Sequence, residues 1–416
     1  MEAHTTIGHA VSTAWRTPTR RFLTLAPAWY TMKPALFGLL LLALVVLGQT
    51  AFAQDTWELT LPSQQALDRG LEWLDKNQGV EGNWTSNDLG LVGVGALAFM
   101  AAGHSPGRGR YGRTVQRALE YVMKNAKPSS GLLNIANPQR DMYNHGLATF
   151  VLGQAHGMTT STDRRFSNVL DRALKLIANT QCTDGGWDYR ARRLPNGHDL
   201  SLAVMQAKAL RSAVDSGLEV SPQVIELAIK SVREHYCPSD GRRDLPEAEQ
   251  RKKPGQFTYS KGGGGGTMAM AAAGVVCLQE FGQYDDWRIA KTMDFILEQT
   301  KRLPKPQRAN GNLPFDAYTL YYVGQACYQV GGDAWRQAYP QLRDYLVESQ
   351  LVNLQNPAHH GLWRDHGAQG GGRVSGKPGE MYGTAVACFI LAIPNRYLPI
   401  LQEGKIESLR DKYRGQ

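Results

Sequence analysis

Acidic residues recur where helical segments rich in small residues begin, and one of these segments also begins with a histidine. Asp141 and His145 lie at the start of DMYNHGLATF, Asp199 at the start of DLSLAVMQA, and Asp316 at the start of DAYTLYYVG. An imidazole exchanges a proton near neutral pH and a carboxylate can orient it, so these four residues are predicted to be catalytic. Each carboxylate could instead cap its helix and complement the helix dipole.

Tyrosines and two basic, glycine-rich loops belong to the same ends of these segments. Aromatic faces could line a ligand cavity, although tyrosines at helical spacing also build cores; the predicted ligand-binding tyrosines are Tyr143, Tyr318, Tyr322 and Tyr382. Lys261 begins the loop KGGGGGT, and Arg373 ends the loop QGGGR. Consecutive glycines before a helix can form an anion-binding nest, or can simply be flexible. Lys261 and Arg373 are therefore predicted to contact a phosphate, a diphosphate or an acidic glycan.

No ligand pattern in the sequence predicts a metal or a cofactor. His359, His360 and His366 lie in a glycine-rich region without regular spacing, which is typical of solvated loop histidines. The formal net charge is +9, and residues 1–53 contribute +3 of it through four cations and Glu2. The remaining charge is spread over the rest of the chain, which argues against a nucleic-acid partner.

Two kinds of helical segment alternate along the chain and recur at intervals of about 50 to 60 residues. The first kind carries charges on one face, as in ALDRGLEWLDKNQ, and the second is rich in small residues, as in TMAMAAAGVVCLQEFG. These patterns predict six helical hairpins with outer and inner layers. The last inner segment, AVACFILAI, is too apolar for a polar end cap, which favours closure onto the first repeat.

The predicted fold is an all-α (α/α)6 toroid over residues 54–400, followed by a polar tail over 401–416. Its inner helices all begin at one rim, where Asp88 and Glu380 join the acidic residues named above. Convergence of several acids and one imidazole at a single cavity mouth is what favours a functional rim over separate helix caps.

Residues 1–53 are predicted to be an N-terminal extension and a signal peptide. Lys33 precedes an apolar run over 35–48, and the small residues Ala51 and Ala53 follow it. The run is short for a spanning helix, so cleavage after Ala53 is favoured over an uncleaved anchor. Translation from Met32 would remove the unusual upstream stretch. The protein is therefore expected to be exported, periplasmic or secreted, with possible membrane association through this segment.

A repeat signature supports the toroid and suggests a family. Arg69-Gly70-Leu71-Glu72-Trp73-Leu74, followed by Gln78, Gly82 and Trp84, resembles the repeat of squalene and oxidosqualene cyclases. Partial copies contain Gln181, Gly185 and Trp187, and then Gln350, Gly361 and Trp363. The chain thus resembles the squalene cyclase and protein prenyltransferase β-subunit superfamily over residues 60–400. The resemblance implies an α/α toroid that binds an isoprenoid or other apolar ligand in its central cavity.

The chemistry of that superfamily is not carried over with the repeat. The Asp-x-Asp-Asp acid of the cyclases has no counterpart, and Asp199-Leu200-Ser201 has serine where the prenyltransferase zinc site has cysteine. Catalysis is therefore left undetermined, with a prenyltransferase- or cyclase-like transferase or isomerase as the enzyme class that the resemblance implies. Two alternatives remain: a glycan-active α/α-ring enzyme (glycosidase or polysaccharide lyase) using rim carboxylates, and a non-catalytic interaction scaffold.

Overall fold

A computed structural model describes residues 57–158, 164–366 and 376–402. Within these residues almost all of the regular secondary structure is helical, which confirms the predicted all-α class. The predicted signal peptide, Arg373 and most of the polar tail lie outside the described residues. No helix in the described part of the chain is both long and apolar enough to cross a membrane.

The helices alternate between an outer and an inner layer, as predicted. The outer helices are α1 (Leu61–Asn77), α3 (Gly112–Lys124), α5 (Arg164–Thr180), α7 (Pro222–Arg233), α10 (Trp287–Lys301) and α12 (Gly332–Ser349). The inner helices are α2 (Leu89–Ala101), α4 (Asp141–Gly157), α6 (Leu200–Asp215), α9 (Met268–Glu280), α11 (Ala317–Val330) and α13 (Gly376–Ala392). Between α7 and α9 lie a one-turn helix, α8 (Glu247–Gln250), and two short antiparallel strands, β1 (Tyr236–Pro238) and β2 (Gly255–Phe257).

The inner helices form a closed ring. Each packs against the next in the order α2, α4, α6, α9, α11 and α13, and α13 returns to pack against α2. The outer layer closes in the same place, because α12 packs against α1. An (α/α)6 toroid is therefore the observed architecture, and its inner helices begin at one common face.

Composition explains which helices lie inside. Helix α2 is apolar all round and nearly every residue in it is buried, whereas α3 buries one face and exposes its charged residues. Small residues let the inner helices approach their neighbours closely. At Gly95, an added Cβ would lie 2.6 Å from the ring of Trp84, so no larger residue fits without displacing that indole.

The glutamine and tryptophan of the repeat signature tie neighbouring repeats together. The Gln181 amide donates to the carbonyl oxygens of Gly185 and Val224 at 3.1 and 2.9 Å. Gln350 makes the equivalent bonds to Gly361 and Ala66, both at 2.9 Å, and so joins the last repeat to the first. The paired indoles are buried and donate to outer-helix carbonyls; they are Trp84, Trp187 and Trp363. These signature residues hold the ring and lie away from its cavity.

Candidate functional site

A cavity of about 360 Å³ opens where the inner helices begin. Helices α2, α4, α6, α9, α11 and α13 all contribute to its lining, together with the loops that precede α6 and α9. This volume lies within the range of small-molecule sites, and a position at the ring axis is the one expected for a ligand. The rim of inner-helix starts is therefore the candidate functional site.

Asp88 is the carboxyl that lines this cavity among the described residues. It caps α2 by accepting the Leu91 N–H at 3.2 Å, and its other oxygen lies 3.5 Å from Nη1 of Arg140. Burial raises the pKa of Asp88, and the Arg140 guanidinium opposes only part of that effect. A carboxyl with a raised pKa in a ligand-sized cavity is suited to donating a proton.

Three of the four predicted tyrosines line the cavity: Tyr143, Tyr318 and Tyr382. The rings of Tyr143 and Tyr318 lie 6.2 Å apart with an interplanar angle of 32°. Burial raises the pKa of all three phenols, which keeps them protonated. Tyr322 instead lies beneath this layer, where its ring packs edge-on against Tyr318 and its hydroxyl donates to Sδ of Met205 at 3.2 Å. The cavity floor is therefore aromatic, with Tyr322 supporting it from below.

His145 and Asp141 do not reach the cavity. Nδ1 of His145 accepts the Leu133 N–H at 3.0 Å, so its protonated Nε2 donates to the Ala173 carbonyl, also at 3.0 Å. Burial lowers the pKa of this imidazole to about 4. Asp141 is buried and accepts the Asn134 amide at 2.8 Å. Both side chains fasten a loop to the start of α4, which is a structural role and leaves no free nitrogen on His145 for catalysis.

Asp199 and Asp316 cap inner helices and are not part of the cavity lining. Asp199 caps α6 by accepting the Ser201 N–H at 2.9 Å, and its side chain has no exposed surface. Asp316 caps α11 by accepting both the N–H and the hydroxyl of Thr319, at 3.1 and 2.8 Å. For these two residues the structure shows the capping role that the sequence left as one of two interpretations.

The ammonium group of Lys261 is ion-paired within the protein. Its Nζ lies 2.7 Å from Oδ2 of Asp184 and 2.9 Å from Oε2 of Glu234. The ion pair with Asp184 fixes the glycine-rich loop to the preceding repeat, whereas Glu234 directly follows α7 of the same repeat. Lys261 is not part of the lining of the central cavity, although Gly265 of its loop is. An anion-binding nest built on Lys261 is therefore not supported, and Arg373 lies outside the described residues.

Several lining residues were not predicted as site residues. Arg140, Tyr189, Ser201 and Tyr259 contribute polar groups, and Asp88 was placed at the rim without being selected. All of these residues lie at the start of an inner helix or in the loop just before one. Many other residues occupy such positions, and nothing in the sequence distinguishes the ones that line the cavity. No group of three or more histidine, cysteine or acidic side chains suited to a metal ion occurs in the described ranges.

Comparison with known proteins identifies solved structures that share the fold. An inactive variant of the α-1,6-mannanase GH76A of Salegentibacter sp. HEL1_6, in complex with α-1,6-mannotetrose, matches with a TM-score of 0.51 and 9% identity. The match covers 79% of this chain and 98% of the mannanase. A second structure of that enzyme, with α-1,6-mannotriose, has a TM-score of 0.49 and 9% identity over 79% of this chain and 99% of the other. No protein-family model and no curated protein sequence matches the chain.

The mannanase match overturns the predicted family. The matching structure is an α-1,6-mannanase in complex with an oligosaccharide, so the squalene cyclase and prenyltransferase assignment is wrong. Two further predictions depended on that assignment: a transferase or isomerase activity, and an isoprenoid or lipid ligand. Both are wrong for the same reason. The repeat signature specifies how helices pack, and at 9% identity the mannanase match likewise shows the fold alone. Among the functions that the sequence left open, this match supports the glycan-active α/α-ring enzyme better than the isoprenoid-binding interpretation.

Proposed function

We propose that this chain is a glycan-active enzyme that binds an oligosaccharide in the cavity at the start of its inner helices. The observation that carries this proposal is the position of Asp88, a carboxyl with a raised pKa beside Arg140 in a cavity floored by tyrosine rings. Aromatic faces bury the apolar faces of sugar rings, while hydroxyl, amide and charged groups bind sugar hydroxyls. The mannanase of shared fold binds such a ligand, which supports the same class here.

Asp88 is the proposed general acid. A glycosidic oxygen is a poor leaving group until a proton is delivered to it, and the protonated Asp88 carboxyl supplies that proton as the bond to the anomeric carbon breaks. A solvent water adds to that carbon and gives up a proton, which restores the Asp88 carboxyl. Arg140 holds the carboxyl in place at 3.5 Å and limits how far its pKa rises. Tyr143, Tyr318 and Tyr382 would position the sugar on the floor beneath it.

A cleavage assay tests this role. Wild-type protein is incubated with linear neutral and acidic oligosaccharides, including α-1,6-mannotetraose and cellotetraose, and the products are measured as new reducing ends and by mass spectrometry. Asp88→Asn keeps a helix-capping side chain but has no acidic proton, so it should lower cleavage about 100-fold or more with little change in melting temperature.

A matched control separates acid catalysis from helix capping. Asp286 caps outer helix α10 by accepting the Arg288 N–H at 3.0 Å, and its side chain is also buried but lies outside the cavity. Asp286→Asn should leave cleavage unchanged. Full activity in Asp88→Asn would remove Asp88 from the mechanism. A wild-type protein that neither binds nor cleaves any of the oligosaccharides would contradict the proposed function itself.

We also propose that the protein acts outside the cytoplasm, where polymeric glycans are accessible. The apolar run over 35–48 and the small residues at Ala51 and Ala53 support this proposal. Amino-terminal sequencing of protein recovered from the exported fraction should begin at Gln54. A protein confined to the cytoplasm would contradict it.

A further inference from the structure

Arg140 is the only cation that lines the cavity in the part of the chain that the structure describes. It directly precedes α4, and its side chain is 54% exposed. Nη1 lies 3.5 Å from Oδ2 of Asp88, and the guanidinium makes no hydrogen bond to any described residue. A guanidinium carries its N–H donors in a planar fork. Most of these donors are therefore available to a ligand.

The proposed reaction removes the charge with which this guanidinium is paired. Asp88 acts as a general acid only in its protonated, uncharged form. Arg140 is then the only charged side chain in the lining that the described residues form, because the other lining groups are tyrosines, amides, hydroxyls and apolar side chains. A neutral sugar would leave this positive charge unbalanced, whereas a sugar that carries a carboxylate would balance it.

The other acids at the inner-helix starts do not take the place of Asp88. Asp199 caps α6 and Asp316 caps α11 by accepting backbone N–H groups, and Asp141 lies in the first turn of α4. A carboxylate at a helix N-terminus is offset by the positive end of the helix dipole. None of these three carboxylates lines the cavity. Arg140 therefore remains the charge that a ligand in the cavity contacts.

On the basis of the proposed function, we propose that Arg140 is a specificity residue and that the substrate is an acidic glycan containing uronic acid units. The guanidinium binds the carboxylate of a uronate unit, and the neighbouring Gln139 offers an amide donor from the same lining. The planar fork of arginine matches the two oxygens of a carboxylate, which a single sugar hydroxyl does not. The acidic glycan expected from Lys261 is thus assigned to a residue that the sequence did not select.

Titration calorimetry of the Asp88→Asn protein with matched ligands tests this inference. Asparagine is uncharged like the protonated acid, and its lack of an acidic proton prevents cleavage during the titration. One pair of probes is cellotetraose and the β-1,4-glucuronate tetramer, and the other is α-1,4-galactotetraose and the α-1,4-galacturonate tetramer. The acidic member of at least one pair should bind about tenfold more tightly than the neutral member, because only the acidic member pairs with Arg140.

The ratio of the two affinities separates specificity from a general loss of structure. Added Arg140→Gln removes the charge and keeps an amide donor, so it should narrow the ratio to about twofold or less. Added Arg140→Lys keeps the charge without the fork and should give an intermediate ratio. Arg192 is the matched control, because its side chain is 53% exposed and paired with Asp188 but does not line the cavity. Added Arg192→Gln should leave the ratio unchanged.

The outcomes distinguish failure of this inference from failure of the proposed function. A neutral probe that binds as tightly as its acidic partner in both pairs, or a ratio that Arg140→Gln does not change, would overturn the inference alone. Saturable binding of neutral oligosaccharides only, with α-1,6-mannotetraose included among them, would do the same. Failure to bind any of these probes would refute the proposed function and the inference with it.

Discussion

Replacement of Gln350 by methionine tests whether the ring is closed by its repeat signature. The Gln350 amide is buried and donates to Ala66 and Gly361, while its oxygen accepts Nε of Arg69 at 2.8 Å. Methionine has a similar volume and fills the same space, but it satisfies none of these three groups. Loss of three hydrogen bonds, two of them buried, at about 1 kcal/mol each gives an expected destabilisation of about 3 kcal/mol.

The expected change in melting temperature follows from the size of the folded unit. An unfolding entropy of about 2.1 cal/mol/K per residue amounts to about 0.7 kcal/mol/K for roughly 350 residues. Gln350→Met should therefore lower the melting temperature by about 4 °C. Gln181→Met removes two such bonds within the ring and should lower it by about 3 °C.

Differential scanning calorimetry and amide hydrogen exchange make this measurement. Gln341, on the exposed face of the same outer helix α12, provides the control, and Gln341→Met should leave the melting temperature within about 1 °C of wild type. Gln350→Met should also speed exchange in α1, because that helix loses a contact with the last repeat. A melting temperature equal to that of wild type, or exchange unchanged in α1, would refute the assignment of Gln350 to ring closure.

Burial lowers the pKa of His145 in the folded protein to about 4, whereas the pKa of a histidine in the unfolded chain is near 6.5. As the pH falls, this imidazole therefore binds a proton in the unfolded chain before it does so in the folded protein. The contribution of this residue to the free energy of unfolding should be fully present above about pH 6.5 and should fall by roughly 3 kcal/mol as the pH drops to 4. A His145→Gln variant whose urea midpoints show the same pH dependence as wild type would contradict this. Both Cys182 and Cys237 are free thiols, and only Cys237 is partly exposed, so a thiol reagent should label Cys237 first. Recovery of a disulfide between the two cysteines in non-reducing peptide maps would contradict this. Lys208 is buried 3.0 Å from Glu280, so Lys208→Met should lower the free energy of unfolding in urea by about 3–5 kcal/mol, because it leaves the Glu280 charge unpaired. Adding Glu280→Gln should restore much of that stability, and equal stability of the single and double variants would argue against the buried pair.

Sequence patterns predicted the ring because its determinants are local. Small residues in segments such as α9 and one-sided charge in segments such as α3 decide which helices are buried, and both can be read without tertiary information. The Gln-Gly-Trp signature also acts locally, since each glutamine binds the loop that follows its own helix before it reaches the next repeat. These features describe helix packing, which is why they predicted the fold and misidentified the family.

The site depended on contacts between distant segments. His145 resembles a catalytic base in sequence, but Leu133 and Ala173 occupy both of its nitrogens. Lys261 resembles an anion-binding residue until Asp184 of the preceding repeat is placed beside it. The same applies to Asp88, because its raised pKa comes from burial inside the assembled rim, which no single segment reveals.

Calorimetric titration of the Asp88→Asn protein tests the central claim most directly, because an uncleaved ligand can be followed to saturation. With α-1,6-mannotetraose, cellotetraose and the acidic oligosaccharides, at least one should bind saturably at one site per chain. Adding Tyr143→Ala should weaken that binding about tenfold, or about 1.4 kcal/mol, because the ring forms part of the cavity floor. Binding of an isoprenoid alcohol with no binding of any oligosaccharide, or glycan binding unaffected by Tyr143→Ala, would contradict a glycan site in this cavity.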